Sequence, residues 1–201
     1  NDKVYDTTTT ATGTLTPTNL FSGDTLTASY SAANFDTKNV GTGKVVSFTG
    51  ITLSGASASN YAILTSGTAT TTANITAAPL TITQDSSTKV YSGTAQSGVI
   101  TYTPSGLLTG DSITGFGTNT AGSGKDVGTY NGSLAGATGP GLTNYSITYV
   151  PGALSITRFI IDPSGGSGGS GGSSTTAPKL TVAANDKVYD TTTTATGTLT
   201  P

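Results

Sequence analysis

Lysine and asparagine recur in this chain where they could form a covalent bond. Lys3 precedes Asn60, Lys89 precedes Asn144, and Lys187 repeats Lys3 near the C-terminus. A buried lysine amine can attack an asparagine side-chain amide, leaving an isopeptide cross-link and releasing one ammonia. The step needs a buried acid as proton shuttle. The chain has no Glu, so an Asp with a pKa raised by burial would have to serve. A second chemistry is calcium binding at Asp24 or Asp111. Each is a lone carboxylate in a Gly-Asp turn, whereas calcium takes about six to eight oxygens, so these residues read as turn formers.

Other chemistry is removed by composition. The chain contains no Cys, His, Met or Trp, and all of its acidic residues are Asp. Disulfides, soft-metal sites and the commonest general base are therefore absent. No motif arranges Ser, Thr, Lys and Asp around a nucleophile, so the chain reads as a non-enzyme without a cofactor. Eight basic and ten acidic residues give a net charge of −2 with no basic run, which argues against nucleic acid as a partner. No apolar stretch approaches the roughly 20 residues of a membrane helix, and no signal peptide opens the sequence. A soluble chain is expected, with any export signal outside it. Glycan binding would want an aromatic platform, and only Tyr and Phe could supply one; a host or surface glycan is left unidentified.

These residues must be positioned by strands, because good helix formers are scarce while Gly and β-branched residues such as Thr abound. Leu80 and Ile82 alternate in PLTITQ, Leu154 and Ile156 in ALSITR, Tyr145, Ile147 and Tyr149 in NYSITYV, and Leu180 and Val182 in KLTVAA. Each predicts a half-buried strand. In KVVSFTGITL the apolar parity slips between Phe48 and Ile51, which predicts a bulge or tight turn at Thr49–Gly50. The tract Thr7–Thr10 reads as an exposed strand with alternate Thr facing solvent.

An internal repeat organises the chain. KVYD at Lys3 aligns with KVYSG at Lys89, SGDTLT around Asp24 with TGDSIT around Asp111, NVGTGK at Asn39 with DVGTYN at Asp126, and NYAI at Asn60 with NYSI at Asn144. The expected fold is all-β: two small tandem Ig-like β-sandwich domains at 1–77 and 78–157, a Gly/Ser linker at 158–176, and a tethered strand segment at 177–201. Tyr5, Tyr61, Tyr91 and Tyr145 are expected to anchor the core edge with hydroxyls bonded to backbone, as tyrosine corners do.

The ordered landmarks resemble the YDG and MBG repeat domains of very large secreted, filamentous-haemagglutinin-like adhesins of Gram-negative bacteria. The first domain resembles a YDG domain through Lys3-Val4-Tyr5-Asp6, Gly23-Asp24, Phe35, Asn39-Val40-Gly41, Ile51 to Gly55 and Asn60-Tyr61, and departs from it at Thr7, where the motif has Gly. The second resembles an MBG domain through Lys89-Val90-Tyr91, Gly110-Asp111, Val127 to Tyr130, Asn144-Tyr145 and Leu154 to Thr157. The resemblance implies an extracellular β-sandwich that acts as a stalk module without catalysis.

The two ends of the chain are the same. Asn1–Pro17 and Asn185–Pro201 are identical over seventeen residues, and the second copy follows SGGSGGSGGSS and APKLTVAA. The second domain has PLTIT ahead of its KVYSG, whereas NDKVYD has no strand before it. The pattern reads as an engineered relocation of the first strand to the C-terminus. An edge lacking a strand can be filled by β-augmentation. The donor would be Lys179, Leu180, Val182, Lys187, Val188 and Tyr189, displacing Lys3, Val4 and Tyr5 of the acceptor's own copy. From Thr157 to Lys179 the tether has a root-mean-square span of ~26 Å and a limit of ~75 Å. Two stacked sandwiches measure roughly 70–80 Å. Donation to a neighbour, head to tail with self as partner, is therefore expected ahead of closure within one molecule as a permutant or alternate-frame switch.

Overall fold

A computed structural model describes residues 1–64 and 67–161, together with the backbone of strands at 181–184 and 197–200. The first half contains β1 (Lys3–Val4), β2 (Thr27–Ser29), β3 (Ala32–Phe35), β4 (Gly41–Thr49), β5 (Thr52–Ser54) and β6 (Thr68–Thr76). The second contains β7 (Ala78–Gln84), β8 (Ser87–Val90), β9 (Gln96–Ser97), β10 (Tyr102–Ser105), β11 (Gly115–Thr120), β12 (Ser123–Gly124), β13 (Gly128–Asn131), β14 (Ser133–Thr138), β15 (Tyr145–Val150) and β16 (Ala153–Thr157). β17 (Thr181–Ala184) and β18 (Gly197–Thr200) follow. Among the described residues the fold is all-β apart from two 3₁₀ turns, Ala58–Asn60 and Leu142–Asn144.

The repeat read from the sequence is a repeat of register. In the first half Lys3 and Val4 of β1 lie parallel beside Ile75 and Thr76 of β6. In the second, Lys89 and Val90 of β8 lie parallel beside Ile156 and Thr157 of β16. The next bond matches too: Tyr5 N–H donates to Thr76 O at 2.8 Å, and Tyr91 N–H to Thr157 O at 2.9 Å. The sheet of the first half runs β1-β6-β4-β3. Its alternation points Phe35, Val46, Phe48, Ala73 and Ile75 inward, all buried, as a strand period of two requires. At Gly50, with φ +64°, the chain leaves this sheet for β5, which pairs with β2 in another; the expected turn stands there.

A single residue, Ala77, separates β6 from β7, and the core does not stop at it. Ala78, Leu80 and Ile82 of β7 join one cluster with Ile75, Phe35 and Tyr5 of the first half and with Leu134, Leu142 and Tyr145 of the second.

The expectation for the threonine tract is overturned. Thr7–Thr10 is not a regular strand: Thr7 has φ +68°, and Thr10 makes only an isolated bridge to Asn34. Asp6 takes the Thr8 N–H at 2.9 Å and Lys3 Nζ at 2.7 Å, while Lys3 also donates to the carbonyls of Thr8 and Thr10. An aspartate that caps the backbone two residues on makes a turn and competes with the sheet ladder.

Candidate functional site

The halves differ most where β7 stands. In the second half β7 is the middle strand of β10-β7-β15, antiparallel to β10 with Ile82 opposite Pro104, and parallel to β15 with Leu80 opposite Ile147. Its inward residues Ala78, Leu80, Ile82 and Gln84 are all buried. In the first half, the counterparts of its neighbours are Leu15–Thr18 and, as far as it is described, Tyr61–Leu64, and neither forms a strand. Gly13 instead gives its N–H to the Tyr30 hydroxyl at 3.2 Å and accepts that hydroxyl's proton at 3.2 Å. Leu64 is 98 % exposed, and Phe21 is 81 % exposed where its counterpart Leu108 packs on the core. Among the described residues, no strand fills this place in the first half.

The C-terminal segment has the corresponding pair. β17 lies antiparallel to β18, with Val182 opposite Leu199 and Thr181 opposite Thr200. In the second half β7 is likewise antiparallel to β10, with the register two residues away: Ile82 faces Pro104, whereas Val182 faces Leu199, the counterpart of Tyr102. Lys179, Leu180, Lys187, Val188 and Tyr189 lie outside the described residues, and Val182 is described by its backbone alone.

A second site lies at the junction of the halves. Asp111 Oδ2 accepts the hydroxyl of Tyr145 at 2.7 Å and that of Tyr5, from the first half, at 3.1 Å. The two tyrosine rings meet edge to face at 5.6 Å, the geometry that aromatic quadrupoles favour. Beside them Asn144 Oδ1 accepts the Val40 N–H at 2.9 Å, and its Nδ2 donates to Asn39 Oδ1 at 3.3 Å. Tyr5, Asn144 and Tyr145 are all buried. Burial, and then the Asp111 carboxylate, push Tyr145 up to about 12; the same two causes raise Tyr5. Each factor disfavours the phenolate.

Residues 1–73 match the family model of the YDG domain, and residues 80–155 match that of the MBG domain (YGX type). The chain carries a YDG domain followed in tandem by an MBG domain. No curated protein and no solved structure matched the chain. The structure gives physical content to the YDG domain's departure at Thr7. Its counterpart in the MBG domain, Gly93, has φ +77°, so both domains use a left-handed residue there, and in the YDG domain a β-branched side chain is held in it.

In both domains the second tyrosine behaves as a corner. The Phe21 N–H donates to Tyr61 Oη at 3.0 Å while Tyr61 donates to Asp24 Oδ2 at 2.7 Å. The Leu108 N–H donates to Tyr145 Oη at 3.0 Å in the same way. Tyr5 departs from the expectation, since its hydroxyl goes to a carboxylate of the other domain rather than to backbone. Asp24 and Asp111 thus serve as acceptors for tyrosine hydroxyls, and the Tyr61 hydroxyl, followed by that of Ser57, holds Asp24 below the usual carboxylate range.

The structure hydrogen-bonds neither lysine–asparagine pair. Lys3 Nζ is taken by Asp6, Thr8 and Thr10, and lies 5.7 Å from the Phe35 ring centroid. Asn60 is exposed, Lys89 is exposed, and the Asn144 amide is committed to Val40 and Asn39. Lys187 lies outside the described residues. The sequence singles out Tyr5, Asp111, Asn144 and Tyr145 but not their meeting, because their partners sit in different domains. The available signal was the polar pair Gly-Asp and Asn-Tyr, conspicuous for recurring in both repeats beside the core tyrosines.

Proposed function

We propose that the chain is a non-catalytic, extracellular structural module of a bacterial surface adhesin, in which Lys179–Pro201 completes the YDG domain of a neighbouring molecule by strand donation. The observation that carries this reading is the contrast around β7. The MBG domain holds a strand between β10 and β15, the YDG domain holds none among its described residues between Leu15–Thr18 and Tyr61–Leu64, and β17 with β18 is an antiparallel pair like β7 with β10. An incoming β17 satisfies two rows of backbone groups at once and covers the exposed Phe21, as β7 does its counterpart Leu108. Because β18 has the sequence of Gly13–Thr16, the donor hairpin also replaces the acceptor's own copy. The perfect seventeen-residue identity behind a Gly/Ser tract supports an engineered duplication.

Donation between molecules is heterologous and does not have to close, so it builds fibres or rings. The runner-up is closure within one molecule, favoured if the domains fold back side by side and shorten the path. Light scattering over a wide concentration range tests both, on this chain and on one ending at Pro163. A molar mass that climbs with concentration and falls to monomer on truncation supports donation between molecules. A monomer throughout, more stable than the truncated chain, supports closure in cis and removes the head-to-tail reading.

A further inference from the structure

The MBG domain ends in the residues that, in the YDG domain, form one side of the domain junction. Tyr5, Asn39 and Val40 of the YDG domain correspond to Tyr91, Asp126 and Val127. The YDG side is covered by Asp111, Asn144 and Tyr145, and Tyr5 is only 2 % exposed. On the MBG side Tyr91 is half-buried, Val127 is 49 % exposed, and an open pocket of about 340 Å³ lies between Tyr91, Val127, Arg158, Phe159 and Ile161. Phe159 and Ile161 follow Ile156 by the same steps at which the buried Ala78 and Leu80 follow Ile75.

The complementary face exists at the other end of the same chain. Asp24, Asn60 and Tyr61 of the YDG domain correspond to Asp111, Asn144 and Tyr145. Asn60 is exposed and Tyr61 half-buried, where Asn144 and Tyr145 are 4 % and 8 % exposed. Asp24 Oδ2 already accepts the Tyr61 hydroxyl at 2.7 Å, as Asp111 Oδ2 accepts that of Tyr145. The Ser57 hydroxyl occupies Oδ1 at 2.8 Å, which leaves Oδ2 free to take a second hydroxyl, as Asp111 Oδ2 does.

We infer that the Tyr91 end of the MBG domain docks onto the Asp24–Asn60–Tyr61 end of a second copy's YDG domain, repeating between molecules the junction found inside one. Tyr91 donates to Asp24, the Tyr91 and Tyr61 rings meet edge to face, and Asn60 Oδ1 accepts the Val127 N–H. The one change of residue type improves the fit. Where Asn39 accepts from Asn144, Asp126 accepts from Asn60, and a carboxylate acceptor strengthens that bond. The contact goes beyond strand donation, since it uses side chains that neither β17 nor β18 supplies. It shares the head-to-tail direction, because a strand in the place of β7 starts at the Tyr61 end.

The chain lacks cysteine, so single cysteines report uniquely. Full-length chains carrying Lys125→Cys are mixed with full-length chains carrying Ser59→Cys and treated with a short bismaleimide. Lys38→Cys with Thr143→Cys in one chain marks the equivalent sites of the existing junction and calibrates the reagent's reach. The expected result, in an equal mixture, is a mixed dimer in excess of both like-with-like dimers together, reduced about tenfold by Asn60→Ala on the Ser59→Cys chain, the loss of about one buried hydrogen-bonded group. Mixed dimers no more frequent than like-with-like ones, or insensitive to Asn60→Ala while the internal control links, overturn the docking. Light scattering on the same samples separates the two readings. Mass growth without mixed cross-links leaves strand donation standing and removes the docking, and Asn60-dependent cross-links without mass loss on truncation at Pro163 do the reverse.

Discussion

Thr7 and Gly93 occupy the same position in two successive domains and share a left-handed backbone, φ +68° and +77°. Thr7 holds it because Asp6 and Lys3 fix the surrounding turn through bonds of 2.7–2.9 Å. A left-handed backbone costs an L-residue roughly 1–2 kcal/mol, and glycine escapes this at the expense of some chain entropy. Thr7→Gly is therefore expected to stabilise the YDG domain by about 1 kcal/mol. The check is a higher urea midpoint with an unchanged slope; a lower midpoint would show that the Thr7 side chain contributes more than the backbone loses.

The junction is expected to couple the two domains. Tyr145→Phe removes the acceptor of the Leu108 N–H and a donor to Asp111, while Asn144→Ala leaves the Val40 N–H without its partner. Each should cost about 1–3 kcal/mol of stability. Calorimetry on the double variant should resolve two transitions where the parent shows one. A single transition with unchanged midpoint would mean that the shared apolar core, rather than these bonds, couples the domains.

Alkali should loosen the same junction. The folded pKa of Tyr145, about 12, lies above the unfolded value near 10. Protons bind more tightly to the folded state, so this contribution is complete below pH ~10 and is lost as pH rises towards ~12. Tyr5 shifts in the same direction. Following tyrosinate absorbance with pH should reveal late-titrating tyrosines whose ionisation coincides with unfolding, and Tyr145→Phe should shrink that late phase.

Gln84 is a buried polar group with every bond placed. It is 2 % exposed; Nε2 donates to Asn119 Oδ1 at 2.9 Å and Thr120 O at 3.1 Å, and Oε1 accepts the Gly152 N–H at 3.0 Å. Gln84→Ala strands the buried Gly152 N–H and should destabilise the MBG domain by about 2–3 kcal/mol. Gln84→Glu offers an acceptor to Gly152 but no amide donor to Asn119 and Thr120, so denaturant midpoints for the pair divide the cost between the accepted bond and the two donated ones.

The sequence by itself determined the strands and their repetition. Period-two apolar patterns locate β7, β15 and β16, the order of KVY, Gly-Asp and Asn-Tyr landmarks predicts that Lys3 and Lys89 sit in matching registers, and the parity slip marks the turn at Gly50. These are local signals, since a strand's alternation is written in consecutive residues. What pairs with what across a domain boundary is not, and so Asp111 receiving Tyr5, and Asn144 capping Val40, emerged only from the packed chain. The clearest case is the repeated segment itself. Gly13–Thr16 and Gly197–Thr200 are the same four residues, yet the first is tied to the Tyr30 hydroxyl outside any strand and the second is β18. A strand exists only when a neighbour accepts its hydrogen bonds; β17 lies beside one copy, and no described strand lies beside the other.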